Sequence, residues 1–298
     1  MSSRPFPSPA SDEVIGALER TGYLLEQRVA SKVRSAGFTT ITGKAFMDPD
    51  EGKSREIDIF AVKKLWEDSA QRIVVSLQLV IECKRSDGPY VALGRDPEAV
   101  DKYRQPHSHT MPVEFIRWLE FLPDGAARQR GMQSWGWLGF HELPGSPNLD
   151  IRKGLQLIRM NLRGKEWVAD NSSIFESLTL PLMKAVEAFR PQRDRNPEPK
   201  SAHLCLSFPI VVTSGELFYV NGESETPISE RTDWVSLERD VDMRSMKGLF
   251  NLDVVAFPAL ERYLQERVLL FSEAVVAKIS QEPEKLKKRE LDARQSGE

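Results

Sequence analysis

The sequence predicts an α/β (α+β) protein with a mixed central sheet flanked by helices, and three observations carry that prediction. Residues 73–84 read IVVSLQLVIECK, apolar at nearly every position on both faces, as expected of a strand central in its sheet. Two shorter strand-like runs precede it at 38–45 and 55–63. Amphipathic helical stripes stand on either side of these three, at 11–37 and 172–189. The 298 residues, 40% hydrophobic and 29% charged, suffice for one large domain or two small ones.

Residues 1–10 are rich in Ser and Pro and read as an unstructured arm. Ser11 is a fair N-cap, Asp12 and Glu13 favour the helix dipole, and Val14, Leu18, Leu25, Val29 and Val33 form a helical stripe. Gly22 divides that run and Gly37 stops it. The strand at 38–45 ends in a turn at 48–52, and the second strand puts Ile57, Ile59 and Ala61 opposite Glu56, Asp58 and Phe60. Residues 66–71 read as a polar connection before the third strand. The stretch 85–170 reads as an insertion packed on the core, with a short helix at 113–121 and a loop at 125–131.

The helix at 172–189 carries Pro181, which should kink or split it. A Pro-rich charged linker follows at 190–201, then a strand at 202–212 joined by a TSGE turn to 217–220, a hairpin signal. Strands at 234–241 and 251–256 and a strong helix at 257–279 form a C-terminal extension, and 280–298 is a charged tail. The expected organisation is therefore a core over 11–220 with its insertion at about 85–170, and strands and a helix at 221–279 packed on that core.

Net charge is −3, so whole-chain electrostatics offer no sign of a nucleic-acid partner, and any such contact needs a local basic patch. Cys83 and Cys205 are far apart in apolar runs, which argues against a disulfide scaffold or a thiolate zinc site and suits a reducing, cytoplasmic setting. The N-terminus has no apolar leader region, and no apolar run reaches the ~18 residues a membrane span needs, so no membrane partner is expected.

The chemistry concentrates at the end of the third strand. Glu82 and Lys84 share a face about 7 Å apart, while Leu77, Leu79, Ile81 and Cys83 take the other. Asp58 stands in the same position on the preceding strand. If the two strands are antiparallel neighbours, Asp58 and Glu82 converge. Two buried carboxylates repel one another, and a hard divalent cation between them turns that cost into a ligand set. Such a cation acidifies bound water and offsets charge on a phosphate. Lys84 is then placed to deprotonate the water or stabilise the transition state.

Glu26 on the first helix, Asp58 in REIDIFAV and Glu82-x-Lys84 in VIECK resemble the PD-(D/E)xK superfamily, the restriction-endonuclease-like nuclease fold. The resemblance covers roughly residues 11–84, and resumes with the 172–189 helix and the 202–212 strand as an α-β-β-β-α-β core. It implies Asp58 and Glu82 as ligands of Mg²⁺ or Mn²⁺, Lys84 as the residue assisting hydrolysis, and Glu26 reaching the metal through water. The Cys83 backbone carbonyl is a further metal ligand in this reading. Ile57 in place of Pro and the long insertion depart from the family pattern.

The expected function is metal-dependent hydrolysis of phosphodiester bonds, with DNA the expected polymer and defence or repair the setting; a homodimer would suit double-strand cutting. The alternative is a non-catalytic nucleic-acid-binding or scaffold protein that keeps the fold. Arg85, Arg95, Lys102, Arg104, Arg128 and Arg130 are candidates for a phosphate groove, against the plainer reading of solvated surface. His107 with His109, and His141 with Glu142, lack a third ligand and read as polar loop. Ser86 and Tyr90 can touch phosphate or serve the turn. Trp135 and Trp137 can stack on bases or fill the core, with core packing preferred. Glu56 reads as a solvated acid and Gln78 as structural.

Overall fold

The computed structural model describes residues 8–149, 152–191, 201–292 and 294–295. Most of the arm expected at 1–10, most of the linker expected at 190–201 and the end of the tail expected at 280–298 lie outside the described residues.

Gly22 adopts a left-handed φ of +89° and divides the N-terminal stripe into α1 (Ser11–Thr21) and α2 (Tyr23–Ser35). α2 buries Leu25, Val29, Ala30 and Val33, whereas α1 buries none of its residues and leaves Val14 41% exposed. The single stripe read from the sequence therefore holds only in its second half, because the Gly22 turn takes α1 off the core. The cap is Ala10, one residue earlier than expected, with its N–H donated to the Glu13 carboxylate at 2.8 Å.

An antiparallel meander follows: β1 (Thr39–Met47), β2 (Ser54–Asp68) and β3 (Ile73–Lys84). β2 runs on through residues expected to be a connection, because a bulge between Lys64 and Trp66 keeps Trp66–Asp68 paired with β3. Next come β4 (Tyr90–Arg95), β5 (Phe115–Phe121), β6 (Ala127–Gln133), the short α3 (Ser134–Trp137), β7 (Lys153–Arg163) and β8 (Glu166–Asp170). The expected helix at 113–121 and loop at 125–131 are thus the two strands of a hairpin. Their period-two pairing, Ile116 opposite Met132 and Trp118 opposite Arg130, overrides the local helical reading.

A π-helical turn at Phe175–Thr179 leads into α4 (Leu180–Ala188), so Pro181 sits at the start of regular helix, where its missing N–H is harmless. The rest of the chain is β9 (Ala202–Thr213), β10 (Leu217–Asn221), β11 (Ser229–Arg231), β12 (Trp234–Asp242), β13 (Lys247–Ala256), α5 (Leu260–Tyr263), a second π-helical turn, α6 (Leu270–Ile279) and β14 (Arg294–Gln295). The expected single helix at 257–279 is therefore broken by 3-10 and π geometry at Phe257–Ala259 and Leu264–Leu269.

Among the described residues, one sheet runs in the order β1-β2-β3-β9-β13-β12-β7-β4-β10-β11, with β8 beside β7, and a smaller sheet pairs β14, β5 and β6. β9 lies parallel to β3 along its whole length, from Ile73 opposite Ala202 to Lys84 opposite Thr213. The hairpin expected from the 213–216 turn does not form. Both edges of β9 are already taken, by β3 and β13, so β10 instead pairs in parallel with β4. β4 and β7 lie inside the sheet order, so the stretch read as an insertion supplies strands to the main sheet.

Helices cover both faces. α2, α5 and α6 pack on one, against Leu77, Leu79, Ile81 and Cys83; α4 packs on the other, against Val80, Val211 and Val254. The expected alternation along β3 is what the two cores divide. α4 is also tied to the β1–β2 turn by a solvent-inaccessible ion pair, with Lys184 Nζ donating to the Asp48 carboxylate at 2.9 and 3.1 Å. Among the described residues no helix is long and apolar enough to cross a membrane.

Candidate active site

The β2–β3 register sets the site. Ile59 faces Ile81, and one step beyond that last pair stand Asp58 and Glu82, on neighbouring strands at the same end of the sheet. The Cys83 N–H donates to Asp58 Oδ2 at 2.7 Å, so a backbone amide holds the carboxylate against β3. A strand residue sends its N–H and C=O to the same side. The Cys83 carbonyl therefore also leaves β3 toward Asp58. The thiol goes into the α2 and α6 core, where burial and the nearby carboxylates push its pKa up. Lys84 Nζ donates to Glu82 Oε1 at 2.7 Å, with the Glu82 side chain only 12% exposed.

Glu26 reaches this corner from the first turn of α2, bringing a third carboxylate within electrostatic range of Asp58 and Lys84. A β-carbon on Gly22 would lie 3.7 Å from Cβ of Arg85, which places the start of α2 beside the residue that follows β3. Three of the four residues expected at the site are thus brought together, Asp58 and Glu82 by strand register and Lys84 by the same strand, and α2 carries Glu26 within electrostatic range of them.

The electrostatics follow from three acids and one base. Burial, then the Asp58 charge, lifts the Glu82 carboxyl to about 7 against the opposing pull of Lys84. Burial raises Asp58 despite the Cys83 amide, and burial with the Asp58 charge raises Glu26. Burial works against the Lys84 ammonium, but Glu82 and Asp58 outweigh it and its pKa rises. Lys84 is therefore charged at neutral pH, while Glu82 is poised to exchange a proton there.

Carboxylate oxygens are hard donors, and their mutual repulsion is what a dication relieves. Among the described residues, no group of three or more His, Cys, Asp or Glu side chains forms a ready metal cage. Mg²⁺ does not require one, since it is usually held by one or two carboxylates while keeping water and taking substrate phosphate. The donor set fits such an ion.

The turn after β3 is built by hydrogen bonds. The Ser86 hydroxyl donates to the Gly88 carbonyl at 2.6 Å, and its N–H donates to Ser214 Oγ at 3.0 Å. Ser214 in turn donates its N–H to the Lys84 carbonyl at 3.1 Å. Tyr90 is buried and lies within electrostatic range of Lys84. The 213–216 turn is thus a wall of the site. Its sequence signal was the polar TSGE turn, assigned to a hairpin.

Other candidates scatter. His109 is buried with Nδ1 3.0 Å from the Ser207 carbonyl oxygen and its ring against Trp135 and Phe208, while His107 packs at a tilt against Phe250 and approaches Glu187. They face different neighbours and form no metal pair. His141 is buried against Tyr103, with Nε2 3.5 Å from the exposed Glu142 carboxylate. Of the basic residues, Arg95 and Arg104 are held by Asp101, Arg85 by Asp87 and Arg130 by Glu120. Lys102 lies over the Tyr103 ring, and Arg128 is exposed on the β5–β6 hairpin. Trp135 is fully buried and Trp137 packs on the core; Glu56 is exposed; the Gln78 amide donates to Ser207 Oγ at 3.3 Å. The chain matches no family model, no curated protein and no solved structure.

Proposed function

We propose that this chain is a metal-dependent nuclease of the PD-(D/E)xK superfamily that hydrolyses phosphodiester bonds, with DNA as its polymer. The observation that carries the proposal is the corner where Asp58, Glu82 and Lys84 converge at the edge of the β2–β3 ladder, with Glu26 of α2 within electrostatic range. The chain order around it supports the same reading: a helix, an antiparallel three-strand meander, a helix on the opposite face, and a fourth strand parallel to the third.

Asp58 and Glu82, with the Cys83 carbonyl, would hold Mg²⁺ or Mn²⁺, and Glu26 would contribute through water. When bound, the ion supplies an acidified water and charge neutralisation at the phosphate. Asp58 is kept in place by the Cys83 amide. Glu82, with a pKa near neutrality, can hold or release a proton at its carboxyl. Lys84, a stable ammonium, offers positive charge where a phosphorane would gather negative charge.

The test is cleavage of linear, supercoiled, branched and single-stranded DNA and of RNA, with Mg²⁺, Mn²⁺ or EDTA, by wild type and Asp58→Ala. Cleavage that needs metal and disappears with Asp58→Ala supports the proposal. Binding without cleavage in every metal favours the non-catalytic alternative, and equal cleavage by the variant overturns the assignment of the site.

A further inference from the structure

Along β12 the odd-numbered residues Val235, Leu237 and Val241 go into the core beneath α4. Arg239 interrupts that row with a cation. β7 pairs with β12 at only two positions, Ser236 opposite Lys153 and Leu237 opposite Gly154, then diverges to pair with β8. The divergence opens a cavity of about 300 Å³ lined by Gln156, Leu157, Asn171, Ile174, Phe175 and Arg239.

Arg239 is half-buried there, and burial pulls its pKa down with no counter-charge to offset it. Among the described residues its guanidinium makes no ion pair and no hydrogen bond. Other enclosed arginines differ: Arg55 is held by Asp48, Arg95 by Asp101 and Glu238, Arg190 by Glu187. A partly desolvated guanidinium costs free energy unless an anion meets it. Its planar fork suits two oxygens of a phosphate. Beside it, the exposed amides of Gln156 and Asn171 offer donors and acceptors, and Leu157, Ile174 and Phe175 give an apolar wall with one aromatic ring. A volume of this size sits at the small end of ligand pockets.

We propose that this cavity is a binding site for a phosphate monoester bearing a planar ring, a nucleotide, with Arg239 on the phosphate and Phe175 against the ring. The site is separate from the strand-end carboxylates. Glu82, Val211, Val254 and Val235 stand in one row across four strands. Arg239 is four residues along β12 from that row, so roughly 20 Å separates the two places. The inference therefore does not depend on the nuclease reading.

Isothermal titration of the full chain with inorganic phosphate and with deoxyadenosine 5′-monophosphate tests it. The nucleotide should bind saturably at one site, more tightly than phosphate, and Asp58→Ala should leave this unchanged. Arg239→Gln should weaken it by about tenfold or more, and Arg239→Lys should restore part of the loss. Asn171→Ala alters an exposed side chain and should also weaken binding if Arg239→Gln fails to fold. Competition by a 5′-phosphorylated single strand, but not its 5′-hydroxyl counterpart, identifies the ligand as a strand end; no competition identifies a free nucleotide. No saturable binding of either probe, or wild-type affinity in folded Arg239→Gln or in Asn171→Ala, overturns the proposal.

Discussion

Replacing Glu82 by Gln should stabilise the metal-free protein relative to wild type as pH rises. In the folded chain the Glu82 carboxyl is lifted from 4.5 to about 7 by burial and by the Asp58 charge. A raised acid binds its proton more tightly folded than unfolded, so its contribution is fully present below the unfolded pKa and is lost as pH climbs through the folded one. Moving the half-point this far corresponds to about 3 kcal/mol lost by wild type between pH 4 and pH 8. Gln keeps the shape and cannot ionise. The variant also loses the charge-assisted bond from Lys84, so its absolute stability at one pH is uninformative and the trend with pH is the quantity to follow. The assay is urea unfolding of both proteins in EDTA across that range. The stability difference should shift toward the variant by about 3 kcal/mol as pH rises. A pH-independent difference, or a shift toward wild type, would refute the reasoning that the two carboxylates strain the empty site.

Lys184→Met removes the ammonium that lies 2.9 and 3.1 Å from the Asp48 carboxylate. Arg55 and two backbone amides remain on Asp48, so urea unfolding should register about 2–3 kcal/mol of lost stability, and a loss near zero would make this an ordinary surface pair. Despite its burial, Asp48 is held well below the usual carboxylate range, chiefly by the Lys184 hydrogen bond, so its stabilisation should be lost as pH falls below about 4; acid unfolding monitored by circular dichroism checks this, and acid-insensitive wild type would contradict it. Gly94→Ala would put a β-carbon 1.8 Å from the Lys153 carbonyl oxygen, so the β4–β7 pairing should yield, at a cost of about 3 kcal/mol or more. A wild-type melting temperature for that variant would sink the close approach of the two strands.

The centre of this fold was legible because β3 is apolar on both faces and its alternation is strict. That pattern identified a central strand and sorted Leu77, Leu79, Ile81 and Cys83 from Val80, Glu82 and Lys84. Register then did the rest for the candidate site, since Asp58 and Glu82 lie just past the last β2–β3 pair, Ile59 opposite Ile81, and the strands are antiparallel neighbours; β2 itself runs on to Ser54 beside β1, so Asp58 is not the strand end that the sequence suggested. What stayed illegible depends on partners distant in the chain. The 213–216 turn carries the local chemistry of a hairpin, and nothing local says that both edges of β9 are occupied. β5 and β6 are short, and only their pairing distinguishes them from helix and loop. Lys184 did leave a trace, a lone cation in the apolar LPLMKAV run, but its partner Asp48 lies 136 residues away. Arg239 left no such trace, since it stands between Glu238 and Asp240 in WVSLERDVD and only the strand alternation turns it to the face of Val235 and Leu237. His107 and His109 show the converse: two residues apart in sequence, they point to separate cores.

The central claim, that the Asp58, Glu82, Lys84 and Glu26 corner cuts phosphodiesters, is tested most directly at Lys84, which contributes charge to the reaction but no metal ligand. The measurement is the rate of supercoiled plasmid cleavage in Mg²⁺ by wild type and Lys84→Ala, alongside Mn²⁺ affinity by electron paramagnetic resonance. The prediction is a rate lower by about a hundredfold or more in Lys84→Ala with Mn²⁺ affinity retained. Cleavage by Lys84→Ala at the wild-type rate, or a wild-type protein that binds Mn²⁺ yet cuts no substrate, would contradict the account.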